Sequence, residues 1–281
     1  MTVPLGNIDG WPAEQHPDLV GRVTVHNLQR TSFAPFSWNA DHATGCAGLA
    51  LAAAPRAHMH VVPIWTPKDT PTYWYAYTRT RMLDSAYRYF VSQGVKCINR
   101  ELNSARSPYG METIWGPNDL DLVAKYPQMV HVQPAGNQGL PIANQVYYKP
   151  AATLEHLLIV VGLGADGKVW AGSNTPQGRC LYVPNVRPIP PENYLRNFVV
   201  CAPAVNDTQP GSPDGYNRGW AGTSFASPHA QALVALMYEK APDLTPQACA
   251  RIIKETCTPL GPAEIYGHGR INVQAALEAV Q

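Results

Sequence analysis

Gly222-Thr223-Ser224-Phe225-Ala226-Ser227-Pro228-His229 is a run of small residues and hydroxyls that leads into an apolar stretch, and its reading decides what the rest of the chain must supply. Ala226, Ala230, Leu233, Val234 and Met237 recur at helical spacing behind Ser224, which predicts a helix over Ser224–Lys240. Gly222 permits close backbone approach, and Thr223 is a candidate cap. Ser224 then stands near a helix N-terminus, where the dipole and the free N–H groups favour developing negative charge. A serine in that place is suited to acyl transfer, provided that a base, an acid to orient it and donors for an oxyanion come from elsewhere in the chain.

Three other segments offer those groups. Val3-Pro4-Leu5-Gly6-Asn7-Ile8-Asp9-Gly10 reads as a short strand that ends in an acid and a glycine turn. Asp41-His42-Ala43-Thr44-Gly45-Cys46-Ala47-Gly48 opens a small-residue helix. Val132-Gln133-Pro134-Ala135-Gly136-Asn137-Gln138-Gly139 ends an apolar strand in Ala-Gly-Asn-x-Gly. Each has a plainer account when taken singly: an Asx turn for Asp9, a helix-start histidine beside Asp41 for His42, a left-handed turn position for Asn137. Together with the serine run, and in this chain order, they resemble the motifs of the subtilisin-like serine proteases (subtilases). The resemblance implies that Asp9 is the triad acid, His42 the general base, Ser224 the nucleophile and Asn137 the oxyanion donor. Phe198-Val199-Val200-Cys201-Ala202-Pro203 and Tyr266-Gly267-His268-Gly269-Arg270-Ile271-Asn272-Val273 look like the family's later strand and C-terminal turn, extending the likeness from Val3 to about Leu277. Cys46, one turn beyond His42, resembles the thiol of the proteinase K-like branch; its plainer account is an inert helix-core cysteine.

The chain departs from the family pattern at two places. Ala43 and Gly45 stand where the family has a glycine and a second histidine. Ile98-Asn99-Arg100-Glu101-Leu102-Asn103-Ser104 aligns with the strand that pairs with bound peptide, where the family reads Ser-Leu-Gly-Gly in place of Glu101, Leu102, Asn103 and Ser104. The resemblance therefore implies Arg100, Glu101, Leu102 and Asn103, with Ala135 and Gly136, as substrate-binding positions. Asn103 would narrow the primary pocket. Glu101 is open between a solvated edge-strand charge and a carboxylate that favours basic residues near the scissile bond.

Strands are predicted at Val3–Ile8, Arg22–His26, His58–Trp65, Lys96–Glu101, Met129–Gln133, Leu157–Leu163 and Phe198–Ala202, and further helices at His42–Ala53, Thr80–Ser92, Asn118–Lys125, Pro246–Cys257 and Val273–Val280. The alternation argues for an α/β chain with a mainly parallel central sheet flanked by helices and a site at the strand ends. The resemblance makes this the three-layer subtilisin-like fold, one catalytic domain over residues 1–281. At 281 residues and 45% hydrophobic content, the chain is long enough for one large core.

A net charge of +1 without a polybasic run makes nucleic acid and anionic membranes poor partners. No apolar run reaches the roughly 18 residues of a membrane span. The expected partner is a peptide or protein substrate, with the oligomeric state open. No cofactor or metal is expected: His42–Ala53 runs almost directly to the next strand, without the inserted loop that binds calcium in many relatives. Six cysteines, at 46, 97, 180, 201, 249 and 257, are compatible with three disulfides or with six thiols. With Met1 as the native start the expectation is a cytoplasmic enzyme; otherwise the chain is an excised domain of a larger or secreted precursor. Three functions fit: a serine endopeptidase, a narrow cleft suiting a selective processing protease with few targets; a peptide acyltransferase or macrocyclase using the same acyl-enzyme; and a catalytically silent peptide-binding relative.

Overall fold

The computed structural model describes residues 2–28, 37–63, 72–101, 119–142, 153–176, 195–205 and 208–280. Seven parallel strands form the central sheet: β1 (Val3–Asp9), β2 (Val23–Val25), β3 (Ala57–Pro63), β4 (Cys97–Arg100), β5 (Val130–Pro134), β6 (Leu157–Leu163) and β7 (Val199–Pro203), in the order β2-β3-β1-β4-β5-β6-β7. Every predicted strand has its described part in this sheet; Ile64 and Trp65 are outside the described residues. Apart from the edge strand β2, the strands are largely buried, as expected when helices cover both faces.

Alternate residues sort cleanly between the faces. Leu5, Val61, Val130, Val132, Leu158, Val160 and Val200 point to one core, which they share with α1 (Ser37–Ala53), α4 (Thr223–Lys240), α5 (Pro246–Glu255) and α7 (Val273–Ala279). On the other face Ile8, Val62 and Ile98 meet Leu83, Tyr87 and Phe90 of α2 (Thr72–Ser92) and Leu122 of α3 (Asp119–Lys125). The result is three layers. α4 is buried around most of its circumference, so it needs no polar face and its hydrophobic pattern is not one-sided. By contrast α5 is amphipathic; Thr245 caps it, accepting from the Ala248 N–H at 3.2 Å, and Pro246 follows at the first helical position.

Several boundaries differ from the sequence expectation. α1 begins at Ser37, so His42 lies in its second turn, not at its start. α2 begins at Thr72, ahead of the expected Thr80. A short helix α6 (Ala263–Tyr266) and an antiparallel hairpin, β8 (Thr208–Gly211) with β9 (Gly215–Arg218), were not expected. The hairpin lies across α1: a Cβ on Gly48 would come within 2.4 Å of the Pro210 ring, and one on Gly45 within 3.0 Å of Gln209. The small-residue face of that helix therefore serves close packing. Among the described residues no helix is long and apolar enough to cross a membrane.

Candidate active site

The ends of β1, β4 and β5 and the starts of α1's second turn and of α4 converge on one side of the sheet. Asp9 is the last residue of β1, and its side chain is 5% exposed. Both its carboxylate oxygens lie 2.9 Å from His42 Nδ1, while Oδ1 also accepts from the Gly10 N–H at 2.7 Å. Burial disfavours the imidazolium of His42, but the charge and hydrogen bond of Asp9, with the charge of Glu101, more than offset it and raise the ring's pKa to about 9. With Nδ1 committed to Asp9, Nε2 is the ring nitrogen left for a reacting group.

Ser224 is the second residue of α4, behind Gly222, and is 6% exposed. The Cys46 thiol links it to the histidine: the sulfur is 3.9 Å from His42 Nδ1 and 4.0 Å from Nε2, and it donates to the Ser224 carbonyl at 3.3 Å. The Phe225 ring centroid lies 5.6 Å from that of His42. Among the described residues the Ser224 hydroxyl makes no hydrogen bond to the His42 ring. Catalytic hydrogen bonds of this kind commonly close only when substrate is bound.

Asn137 is exposed at the end of β5, and its amide is clamped by its oxygen. Oδ1 accepts from the Thr223 N–H and from Thr223 Oγ1, both at 2.8 Å, which leaves Nδ2 free to donate. Thr223 thus has a different task from the cap expected of it: it is already helical, and its hydroxyl also accepts from the Gly136 N–H at 3.0 Å. Asn174 completes the cradle. Its Oδ1 accepts from Gln138 N at 3.1 Å and Leu140 N at 3.0 Å, and its Nδ2 donates to the Ala135 carbonyl at 3.1 Å. Gly136 has φ 100°, a left-handed conformation that favours glycine at this turn.

Arg100 and Glu101 are both buried. Arg100 Nε donates to Gln133 Oε1 at 2.8 Å on the neighbouring strand. Glu101, 4% exposed, accepts at Oε1 from Ser227 Oγ at 2.8 Å and from the Asn99 side-chain amide. Burial and the Asp9 charge push its pKa up to about 8, against the pull of His42 and of the Ser227 and Ser224 hydroxyls. The solvated edge-strand account of Glu101 is therefore corrected: the parallel pairing of β4 with β1 carries it inward. Leu102 and Asn103 lie outside the described residues. Ala135 is buried below the Asn137 loop, beside Gly136.

Asp9, His42 and Cys46 also bring a carboxylate oxygen, a ring nitrogen and a sulfur within 4.8 Å of one another. They form an acid–base pair beside a thiol and do not make a metal cage, because Nδ1 is taken by Asp9 and burial pushes the Cys46 thiol well up, away from the thiolate a metal needs. The five described cysteines, 46, 97, 201, 249 and 257, are all free thiols; Cys180 lies outside the described residues.

Sequence reasoning missed Asn174, Asn99 and Ser227. Ser227 had a signal, standing three residues after Ser224 on the same helix; Asn174, in a loop distant in sequence, had none.

The chain is similar to known proteins in sequence and in fold. Over 159 residues the chain is 31% identical to Subtilisin Savinase of Lederbergia lenta, an alignment covering 50% of this chain and 58% of that protein. It is equally 31% identical to the alkaline protease of Alkalihalobacillus alcalophilus, covering 50% of this chain and 41% of the relative. The match thus spans about half the length of these curated relatives. In fold it is similar to a mutant of the protease domain of PatA, with a TM-score of 0.73 at 21% identity, covering 99% of this chain and 94% of the other. It is also similar to the PatG macrocyclase in complex with peptide, with a TM-score of 0.70 at 16% identity, covering 99% and 91%. The model of the subtilase family matches residues 13–269, most of the chain: the chain belongs to the subtilase family.

Proposed function

We propose that the chain is a single subtilase catalytic domain acting as a serine endopeptidase. The observation that carries this reading is the Asp9–His42 pair, 2.9 Å apart, set beside the N-terminal turn of α4 that bears Ser224. In the proposed reaction neutral His42 takes the Ser224 proton as Oγ attacks a peptide carbonyl, and the tetrahedral oxyanion accepts from Asn137 Nδ2 and from the Ser224 N–H. The imidazolium, held by Asp9, gives its proton to the leaving amine. Water then attacks the acyl-enzyme, and the same ring relays the proton back. The main chain around Arg100 and Glu101 on one side and Ala135 and Gly136 on the other is the proposed path of the extended peptide.

The acyl-enzyme is common to hydrolysis and to transfer onto an amine, and one fold neighbour is named a macrocyclase. No feature among the described residues favours an amine over water, so the hydrolytic reading stands. Peptide-library digestion tests it. Cleavage by the wild type, without ligated products when an amine nucleophile is added and with none from Ser224→Ala, supports it; ligated products in place of hydrolysis overturn it.

A further inference from the structure

We propose that Glu101 is a positioning residue of this site: its carboxylate, set between the Asp9–His42 pair and the first turns of α4, favours the imidazolium form of His42 and so sets the pH at which the ring becomes available as a base. The proposal rests on Ser224, His42 and Asp9 being the reacting groups.

The backbone fixes the placement first. Ile8 pairs with Arg100, and the Glu101 N–H donates to the Ile8 carbonyl at 3.0 Å, so the next residues on the two strands, Asp9 and Glu101, emerge side by side. The side chain is then pinned from the opposite direction by Ser227 Oγ at 2.8 Å, one turn after the nucleophile, and by Asn99 Nδ2, which is also 3.2 Å from Ser227 Oγ. Oε2 is buried and has no hydrogen-bond partner among the described residues. The titratable described groups that face this carboxylate are Asp9 from β1 and His42 and Cys46 from α1; Ser224 and Ser227 face it from α4.

The buried Glu101 carboxylate and the His42 imidazole cannot ionise independently. Like charge and burial drive a proton onto Glu101, whereas each carboxylate that is ionised draws a proton onto His42. His42 is a base only in its neutral form, so an ionised Glu101 delays catalysis to higher pH. Ser227 contributes indirectly, since its hydrogen bond favours the ionised carboxylate.

The test is the rate of fluorophosphonate labelling of Ser224 from about pH 5 to 10, which reports the base without requiring a known substrate. Glu101→Gln is expected to move the acid limb down by about one pH unit. Ser227→Ala is expected to move it in the same direction by less, and Glu101→Asp to restore it toward the wild type. An unchanged limb in Glu101→Gln with the wild type labelled overturns this inference and leaves the protease reading intact. A folded wild type that is not labelled at any pH overturns both. If Glu101→Gln does not fold, Ser227→Ala decides: a limb that stays put or moves up refutes the proposal.

Discussion

His42 and His131 are both packed between the sheet and its surroundings, yet they are driven in opposite directions. His131, on β5, is 3% exposed, stacks on Tyr87 with ring centroids 5.3 Å apart and meets His156 edge-on at 5.0 Å. One nitrogen of each ring faces a carbonyl at 2.9 Å, of Tyr126 for His131 and of Val123 for His156. Among the described residues no carboxylate faces His131, and burial with the neighbouring His156 lowers its pKa to about 3. His42 is also largely enclosed, with 20% of its side chain exposed, but two carboxylates reverse the effect of burial. Burial alone makes a histidine an inert neutral ring. A buried counter-charge makes it a base, and the molecule keeps such charges at the strand ends, where the chemistry is proposed.

Removing the members of the charged region tests this contrast most severely. Ser224→Ala is expected to lower kcat by about 10⁶-fold, and Asp9→Asn, which leaves the ring misoriented, by about 10⁴-fold. Steady-state hydrolysis of a cleaved peptide measures both. Asn137→Ala is expected to lower kcat by about 10²–10³-fold with KM little changed, the loss expected when an oxyanion donor is removed. Thr223→Val removes the hydroxyl that links Asn137 Oδ1 to Gly136 N and is expected to cost a smaller part of that factor, about tenfold, because the Thr223 N–H still holds Asn137.

The sequence makes the proposed reacting groups legible because each closes a short local pattern: strand then acid, glycine-flanked amide, serine at the head of an apolar helix. Much of the fold follows from the same signals, since the buried parallel strands are apolar runs. The hairpin at 208–218 escapes detection because Pro210, Gly211 and Gly215 interrupt any alternation and its stability comes from lying on α1. The early start of α2 is hidden by Thr72-Tyr73-Trp74-Tyr75, aromatic and β-branched residues of modest helix propensity. Glu101 shows the deeper limit. Its type and position are plain in the sequence, but its environment depends on the register of β4 against β1 and on the approach of Ser227 from 126 residues away.

The uncharged region is expected to show its effect in stability against pH and none in turnover. The folded-state pKa of His131 lies below its unfolded value near 6.5, so its contribution to stability is present above about pH 6.5 and is lost as pH falls toward 3. Across that window the wild type should lose about 1.4 kcal/mol per pH unit from this residue. His131→Phe should flatten the fall of Tm between about pH 6.5 and 4.5, whatever its absolute stability, and parallel curves for the two proteins would refute the assignment.

The central claim, that His42 activates Ser224, is tested most directly by intact mass and peptide mapping after fluorophosphonate treatment above about pH 9, where His42 is neutral. The account predicts one adduct, on Ser224, absent from Ser224→Ala and strongly suppressed in His42→Ala. An adduct on another residue, or labelling of Ser224 that proceeds equally well without His42, would contradict it.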